Sequence, residues 1–192
     1  MNKNRLEAFS DGVFAIVITL LILDVRIPKV DYSSLVQAML DVVPKVLAYI
    51  LSFIIVGIYW VSHHNTSHYV EKIDRTFVWL NVLLLLFVGF IPFPTSLLGQ
   101  YPFGQIPVIF YGCILIATNA IGFGMWYYAQ KKGLLKPNIG KNVIRGLNMS
   151  FIVVNSSYLL AILLSMFHVG LSYMIYTLVI IYVIFPKSWY KQ

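Results

Sequence analysis

The 192-residue chain has few charged residues, a single cysteine and no acidic residue after Asp74. Only 11% of its residues are charged and 59% are hydrophobic, so it lacks the polar surface that a soluble globular protein of this length needs. The lone Cys113 excludes an intrachain disulfide framework and a paired-cysteine metal or redox site. The missing carboxylates exclude a two-carboxylate hydrolase from the C-terminal half. These absences indicate a membrane protein.

Long hydrophobic stretches take the place of the missing polar surface. A helix that crosses a bilayer needs about 20 mostly apolar residues, and six stretches qualify: residues 9–27, 44–64, 77–98, 106–129, 146–167 and 170–186. Together they occupy nearly the whole chain and leave no room for a soluble domain. We therefore predict an all-α, multi-pass membrane protein in which residues 1–192 form one domain of six transmembrane helices.

The basic residues are distributed unevenly between the two predicted sides of the membrane. With both termini on one side, that side carries 11 of the 14 Lys and Arg residues, among them Lys187 and Lys191, and the other side carries only Arg26, Lys29 and Lys45. Loops rich in Lys and Arg stay in the cytoplasm, so we predict cytoplasmic termini in a plasma-membrane protein. The positive charges are dispersed over loops without a clustered basic face, and no nucleic-acid partner is predicted.

The first hydrophobic stretch carries an apolar stripe. At 100° per residue, five large side chains fall within about 40° of one direction: Phe9, Ile16, Leu20, Leu23 and Ile27. Thr19 flanks this stripe. The spacing alone does not decide whether the stripe packs against protein, contacts lipid or lines a pathway. Asp11 points about 140° away from Ile16, so if the stripe faces an axis, Asp11 faces other helices of its own subunit.

Asp11 needs a partner, because an unpaired carboxylate one turn inside a span costs a few kcal/mol. Capping of the helix start by Ser10 or Asp11 is one explanation. The other is a hydrogen-bonded network, since the second span ends in YWVSHHNTSH and buried indole and imidazole groups need partners. The expected partners of Asp11 in that network are Arg5, Trp60, and His63 or His64.

His64 and His68 have the spacing that can hold zinc on one helix face. However, the general-base Glu of a metalloprotease helix is missing, and no second group of ligands occurs elsewhere in the sequence. We therefore predict no zinc site and no cofactor. Pro92 in the third stretch is expected to kink or end its helix.

The opening of the first stretch, R-L-E-A-F-S-D-G-V-F-A-I-x-x-T-L-L-x-L, resembles the signature of the transmembrane protein 175 family, potassium channels of endosomes and lysosomes with prokaryotic homologues. The W-x-x-H-H of the second span, Asn81, the proline-bearing third span and the six-span length fit the prokaryotic single-repeat form. The resemblance therefore covers essentially the whole chain.

The resemblance implies a homotetramer whose pore is lined by the first helix of each subunit, without a carbonyl filter. It places the narrowest point at Ile16, leucine layers at Leu20 and Leu23, and a candidate pore-facing layer at Thr19. It also implies an intrasubunit network of the following residues: Arg5, Ser10, Asp11, Trp60, and His63 or His64.

A ring of isoleucine side chains offers no oxygen ligands, so a passing ion must keep its water or lose part of it uncompensated. Potassium loses water more readily than sodium, and the same ring can gate by dewetting. We therefore expect a potassium-selective cation channel with a hydrophobic gate and no enzymatic activity. Its partners are potassium ions, membrane lipid and the other subunits of the homotetramer.

Two other functions stay open on the sequence alone. A proton-conducting channel or proton-coupled carrier would use Asp11, His63 and His64, because imidazole titrates near neutral pH. An intramembrane metalloenzyme would use His64 and His68. Independently of the resemblance, Asp24 lies about 80° from Ile16 at the outer end of the first helix. It is expected either to concentrate cations at the external mouth or to be an ordinary solvated loop charge.

Overall fold

The computed structural model describes residues 2–185, so residue 186, Lys187 and Lys191 lie outside the described residues. This part of the chain contains seven α-helices: α1 (Lys3–Leu20), α2 (Leu35–Tyr69), α3 (Arg75–Phe90), α4 (Pro92–Gln100), α5 (Gln105–Lys131), α6 (Lys141–Ser165) and α7 (Val169–Ile184). The only extended pairing between residues 2 and 185 is an isolated bridge of Val70 with Leu135. The all-α prediction is confirmed.

Five helical segments are long and apolar enough to cross a membrane: Lys3–Asp24, Tyr32–Tyr69, Arg75–Gln100, Gln105–Lys131 and Lys141–Ser165. They correspond to the first five predicted spans. The sixth predicted span contains α7, which is apolar but only 16 residues long. At 1.5 Å per residue α7 is about 24 Å long, shorter than the ~30 Å hydrocarbon core of a bilayer.

The first helix ends before the predicted stretch 9–27 does. It passes at Leu21–Asp24 into one 3₁₀ turn, and further along the chain Pro28 disfavours a helical conformation of Ile27. The Nε–H of Arg26 donates to the Leu23 carbonyl at 2.8 Å and satisfies one carbonyl at this end. A 3₁₀ turn advances about 120° per residue. The angles derived from the sequence therefore hold for Ile16 and Leu20 and not for residues beyond them.

Helix α2 is much longer than the predicted stretch 44–64, with 35 residues that include Pro44. Its first turns are polar enough to escape a search for hydrophobic runs. In these turns the Gln37 side-chain amide donates to the Asp41 carboxylate at 2.9 Å, four residues along the helix. At about 52 Å the helix exceeds the hydrocarbon thickness, so it extends beyond the membrane.

The third predicted span is two helices with a break at Ile91. Helix α3 ends at Phe90 and α4 begins with Pro92 at its first position, which confirms the predicted effect of that proline. Helix α4 then packs closely on α2. A Cβ atom added to Gly99 would lie 2.9 Å from the Cα atom of Lys45, so the close contact requires glycine.

Helix α1 packs against α2 and α3, α5 lies between α3 and α6, and α7 packs on α6. The core contains large side chains, several of them tyrosines whose hydroxyl groups are satisfied internally. The Tyr59 hydroxyl donates to the Leu115 carbonyl at 2.9 Å, and the Tyr176 hydroxyl donates to the Val108 carbonyl at 3.0 Å. Because α2 and α3 hold only one side of α1, its other side is left uncovered by its own subunit.

Candidate functional site

Helix α1 has two apolar faces with opposite surroundings. The face against α2 and α3 is buried, and Phe14, Val17 and Leu21 are at most 4% exposed. The other face carries the predicted stripe, in which Ile16 is 59%, Leu20 45% and Leu23 52% exposed. An apolar face of this kind requires an apolar neighbour outside the subunit, either lipid or another protein surface.

Thr19 lies on the exposed side of α1, one turn beyond Ile16. Its hydroxyl donates to the Ile16 carbonyl at 2.8 Å, so its donor is used within its own helix. A hydroxyl oxygen also has two acceptor lone pairs. Thr19 therefore adds an oxygen acceptor to a face that is otherwise apolar.

Behind the stripe, a buried polar group joins three helices. Ser10 on α1 donates to the Leu6 carbonyl at 2.9 Å and accepts from the Asn81 side-chain amide of α3 at 3.0 Å. The Asn81 carbonyl oxygen lies 2.7 Å from Nε2 of His63 on α2. Since that oxygen can only accept, Nε2 carries the proton in this arrangement. We call Ser10, Asn81 and His63 the inner polar group.

Asp11 belongs to a different contact. The Trp60 indole donates to its carboxylate at 2.9 Å, and both side chains are exposed at the subunit surface. The ring of exposed His64 lies 6.0 Å from the Trp60 ring. Within residues 2–185, neither histidine and no arginine hydrogen-bonds to Asp11, and the Arg5 side chain is exposed.

The structure therefore divides the predicted network into two separate contacts, Asp11 with Trp60 and Ser10 with Asn81 and His63. It brings His63, and not His64, into the buried part. In the sequence alone, Asn81 is only one polar residue that fits the family pattern. The contact could have been predicted from the topology, because Ser10, His63 and Asn81 all lie near the same end of their spans, where polar side chains can meet.

Asp24 lies at the opposite end of α1, in the 3₁₀ turn. It is exposed and lines a small cavity of about 50 Å³ with Lys45, Thr95, Ser96 and Gln100. The predicted outer carboxylate thus shares its surroundings with a basic residue of α2. This reduces the field that Asp24 exerts on cations.

The two histidines with zinc-binding spacing do not gather further ligands. No group of three or more His, Cys, Asp or Glu side chains lies close enough to hold a metal ion in the part of the chain that the structure describes. His68 is exposed, and its ring contacts that of Tyr69, with ring centroids 5.5 Å apart. This geometry gives no support to a metalloenzyme.

Comparison with known proteins gives one consistent family. The sequence profile described as "Endosomal/lysosomal potassium channel TMEM175" matches residues 5–92. A protein of Streptomyces collinus named as a potassium channel is 36% identical over 169 residues, which cover 84% of this chain and 82% of that protein. The chicken (Gallus gallus) protein named "Endosomal/lysosomal proton channel TMEM175" is 35% identical over 66% of this chain and 28% of its own length.

A solved structure shows the same fold. The crystal structure of a lysosomal potassium-selective channel TMEM175 homolog from Chamaesiphon minutus superposes with a TM-score of 0.85 and 33% sequence identity. The superposition covers 94% of this chain and 95% of that one. The fold and the sequence therefore point to the same relatives.

Proposed function

The chain belongs to the TMEM175 family of ion channels, and from this premise we propose that it is a potassium-selective cation channel formed by four identical subunits around α1. The proposal places both termini in the cytoplasm and the channel in the plasma membrane. Bacterial relatives named as potassium channels support potassium as the permeant ion.

The observation that carries the proposal is the exposed apolar stripe of α1. A single helix cannot enclose a pathway, whereas several copies of α1 that meet with this stripe inward can. The opposite face of α1 is already buried within its own subunit, where it carries Phe14 and Val17. Ile16, Leu20 and Leu23 are then the side chains that reach the axis, with Thr19 supplying oxygen acceptors beside them.

Ile16 is the proposed constriction and gate. An isoleucine ring provides no ligands that replace water, so the barrier depends on how readily the ion gives up its hydration. Potassium passes more readily than sodium for this reason, and a small inward movement of α1 empties the ring of water and closes the pore. The inner polar group and the Asp11–Trp60 contact act as the positioning elements that hold α1 on α2 and α3.

Recordings from planar bilayers with potassium on one side and sodium on the other test the constriction. Ile16→Asn wets the ring, so we expect a higher conductance and a fall of up to about tenfold in the potassium-to-sodium permeability ratio, which corresponds to about 1.4 kcal/mol. Ile152→Asn on α6 is the matched control, because Ile152 is 48% exposed and lies on another helix. An unchanged reversal potential with Ile16→Asn would remove Ile16 from the constriction.

Proton conduction is the second candidate function. It is favoured by the buried inner polar group, which contains an imidazole, and by vertebrate relatives named as proton channels. A pH gradient across a bilayer without potassium or sodium separates the two functions. A current that reverses at the proton equilibrium potential and disappears with His63→Leu supports proton conduction. The absence of any current under these conditions supports a potassium channel.

Asp24 is proposed as a weaker contributor at the outer mouth. Its carboxylate raises the local cation concentration, and the nearby Lys45 opposes it. At low ionic strength we expect Asp24→Asn to lower the potassium conductance and Lys45→Gln to raise it, with both effects fading as salt is added. If the conductance of both variants at low salt equals that of the wild type, Asp24 is only a solvated loop charge.

A further inference from the structure

A second surface, at the end of the subunit that holds the N terminus, concentrates basic side chains. The connection from α2 to α3 together with the first residue of α3 contributes two, and the end of α5 with its following loop contributes three: Lys72, Arg75, Lys131, Lys132 and Lys136. We call these five residues the basic plate. From the sequence alone we expect charges dispersed over loops without a basic face. The fold corrects this expectation, because it joins the two connections.

The loop after α5 is ordered by its own backbone. Gly133 adopts a φ of +64°, which a residue with a side chain rarely tolerates. The Leu134 N–H donates to the Ala129 carbonyl at 3.0 Å, and the Gly133 N–H donates to the Gln130 carbonyl at 3.3 Å. This pair of bonds is a Schellman cap, which ends α5 and turns the chain sharply.

That turn pairs with the connection between α2 and α3. The Glu71 and Lys72 N–H groups donate to the Leu134 carbonyl at 2.8 and 3.1 Å, and the Lys136 N–H donates to the Tyr69 carbonyl at 2.9 Å. The Tyr128 hydroxyl adds a bond of 2.6 Å to the Asp74 carboxylate. The two connections therefore form one ordered unit, which carries the basic residues.

The positive charge of this unit is not neutralised from within. Its two acids are Glu71, which is exposed, and Asp74, which is engaged by the Phe77 N–H at 2.8 Å and by Tyr128. Lys132 acts on Asp74 only at longer range. In the described part of the chain, the single ion pair within 4 Å is Lys3 with Glu7 at 3.5 Å. The five cationic groups of the plate thus lack a close carboxylate partner.

We propose that the basic plate binds the phosphate groups of anionic phospholipids in the adjacent leaflet. The plate lies where the apolar helices α2 and α5 end and α3 begins, which is the level of the lipid headgroups. Lys and Arg are the side chains that bind phosphate most strongly. A net positive, ordered surface at this level complements an anionic headgroup better than a zwitterionic one.

The plate is also connected to the proposed pore helix. The Lys3 ammonium of α1 donates to the Val70 carbonyl at 2.6 Å, and Val70 bridges to Leu135 within the paired loops. Lipid bound at the plate therefore stabilises the unit on which the start of α1 rests. The inference itself requires only that the chain spans a membrane, and its test measures binding and not conduction.

The test compares melting midpoints of the purified full-length protein in neutral detergent with added phosphatidylglycerol, phosphatidylcholine or inorganic phosphate at equal phosphate concentration. We expect only phosphatidylglycerol to raise the midpoint. Each lysine near a lipid surface contributes about fivefold in affinity, so Lys132→Gln with Lys136→Gln should weaken the apparent affinity by roughly 30-fold. The matched control, Arg26→Gln with Lys29→Gln, removes two exposed charges at the opposite end and should keep the response.

Two further variants keep the test decisive. Lys132→Arg with Lys136→Arg retains the charge and should retain the response, and Lys72→Gln with Lys131→Gln replaces the first pair if that pair does not fold. An equal shift with phosphatidylcholine, with free phosphate or with a short RNA of equal charge would overturn the proposal. So would a control pair that loses the response as fully as the plate pair does.

Discussion

The two faces of α1 are both apolar, yet only one of them is explained by the subunit. Phe14 and Val17 are covered by α2 and α3, whereas Ile16 and Leu20, only two or three positions away, are 59% and 45% exposed. The inner face packs the helix onto its own subunit, and the outer face is the one that we propose meets the other subunits. Hydrophobicity alone does not distinguish the two faces, because both consist of large apolar side chains. The difference teaches that one side of α1 contributes to the stability of the subunit, which leaves the other side available for the proposed role in conduction.

The largest expected contrast is between Phe14→Ala and Ile16→Ala. Phe14 is 1% exposed and its ring lies 5.7 Å from that of His63, so truncation leaves a cavity and should cost about 3–5 kcal/mol of the free energy of unfolding. Ile16→Ala removes an exposed side chain and should cost within about 0.5 kcal/mol. Denaturant titration of both variants in detergent under dissociating conditions measures the difference. Equal losses would contradict the assignment of the two faces.

Substitutions of polar side chains should show the same contrast, with a larger loss of stability on the inner face than on the outer face. Asn81→Ala removes the bonds to Ser10 and His63 and leaves the buried His63 Nε2 without its acceptor, while Ser10 keeps its bond to the Leu6 carbonyl, and this should cost about 2–3 kcal/mol. Thr19→Val removes a hydroxyl that is exposed and bonded only to its own helix, so its effect should stay within about 0.5 kcal/mol. Thermal unfolding checks both, and a Thr19→Val variant as unstable as Asn81→Ala would contradict the comparison.

Much of this arrangement follows from the sequence, and the remainder depends on packing. Helical periodicity finds the stripe through Ile16 and Leu20, and Pro92 marks the break before α4. Periodicity fails after Leu20, because the 3₁₀ turn changes the angle per residue. It also cannot choose between His63 and His64, which are adjacent. That choice is made by the position of Asn81 on α3, a contact between residues 18 positions apart.

The contact of Asp11 with Trp60 lies between the two faces, and its contribution to stability should be intermediate. It lies at the subunit surface, so we expect Trp60→Phe, which removes only the N–H donor and part of the ring, to cost about 1 kcal/mol, less than Asn81→Ala. A double-mutant cycle with Asp11→Ala should show a coupling energy of similar size. The free energies of unfolding of the two single variants and the double variant give this coupling. Additive effects would mean that the indole and the carboxylate do not interact.

The smallest expected effect concerns the carboxylate of Asp74, which accepts hydrogen bonds from Tyr128 and Phe77. The Tyr128 hydroxyl, the Phe77 N–H and nearby Lys132 hold the pKa of Asp74 below its usual value of 3.8. A lowered pKa in the folded state stabilises the protein above the unfolded-state value, and that stabilisation is lost as the pH falls through 3.8 toward the folded-state pKa. Melting midpoints measured from pH 6 to pH 3 should therefore fall less steeply for Asp74→Asn than for the wild type. Tyr128→Phe should reduce the slope in part. A slope that is the same for Asp74→Asn and the wild type would show that this carboxylate is not the source.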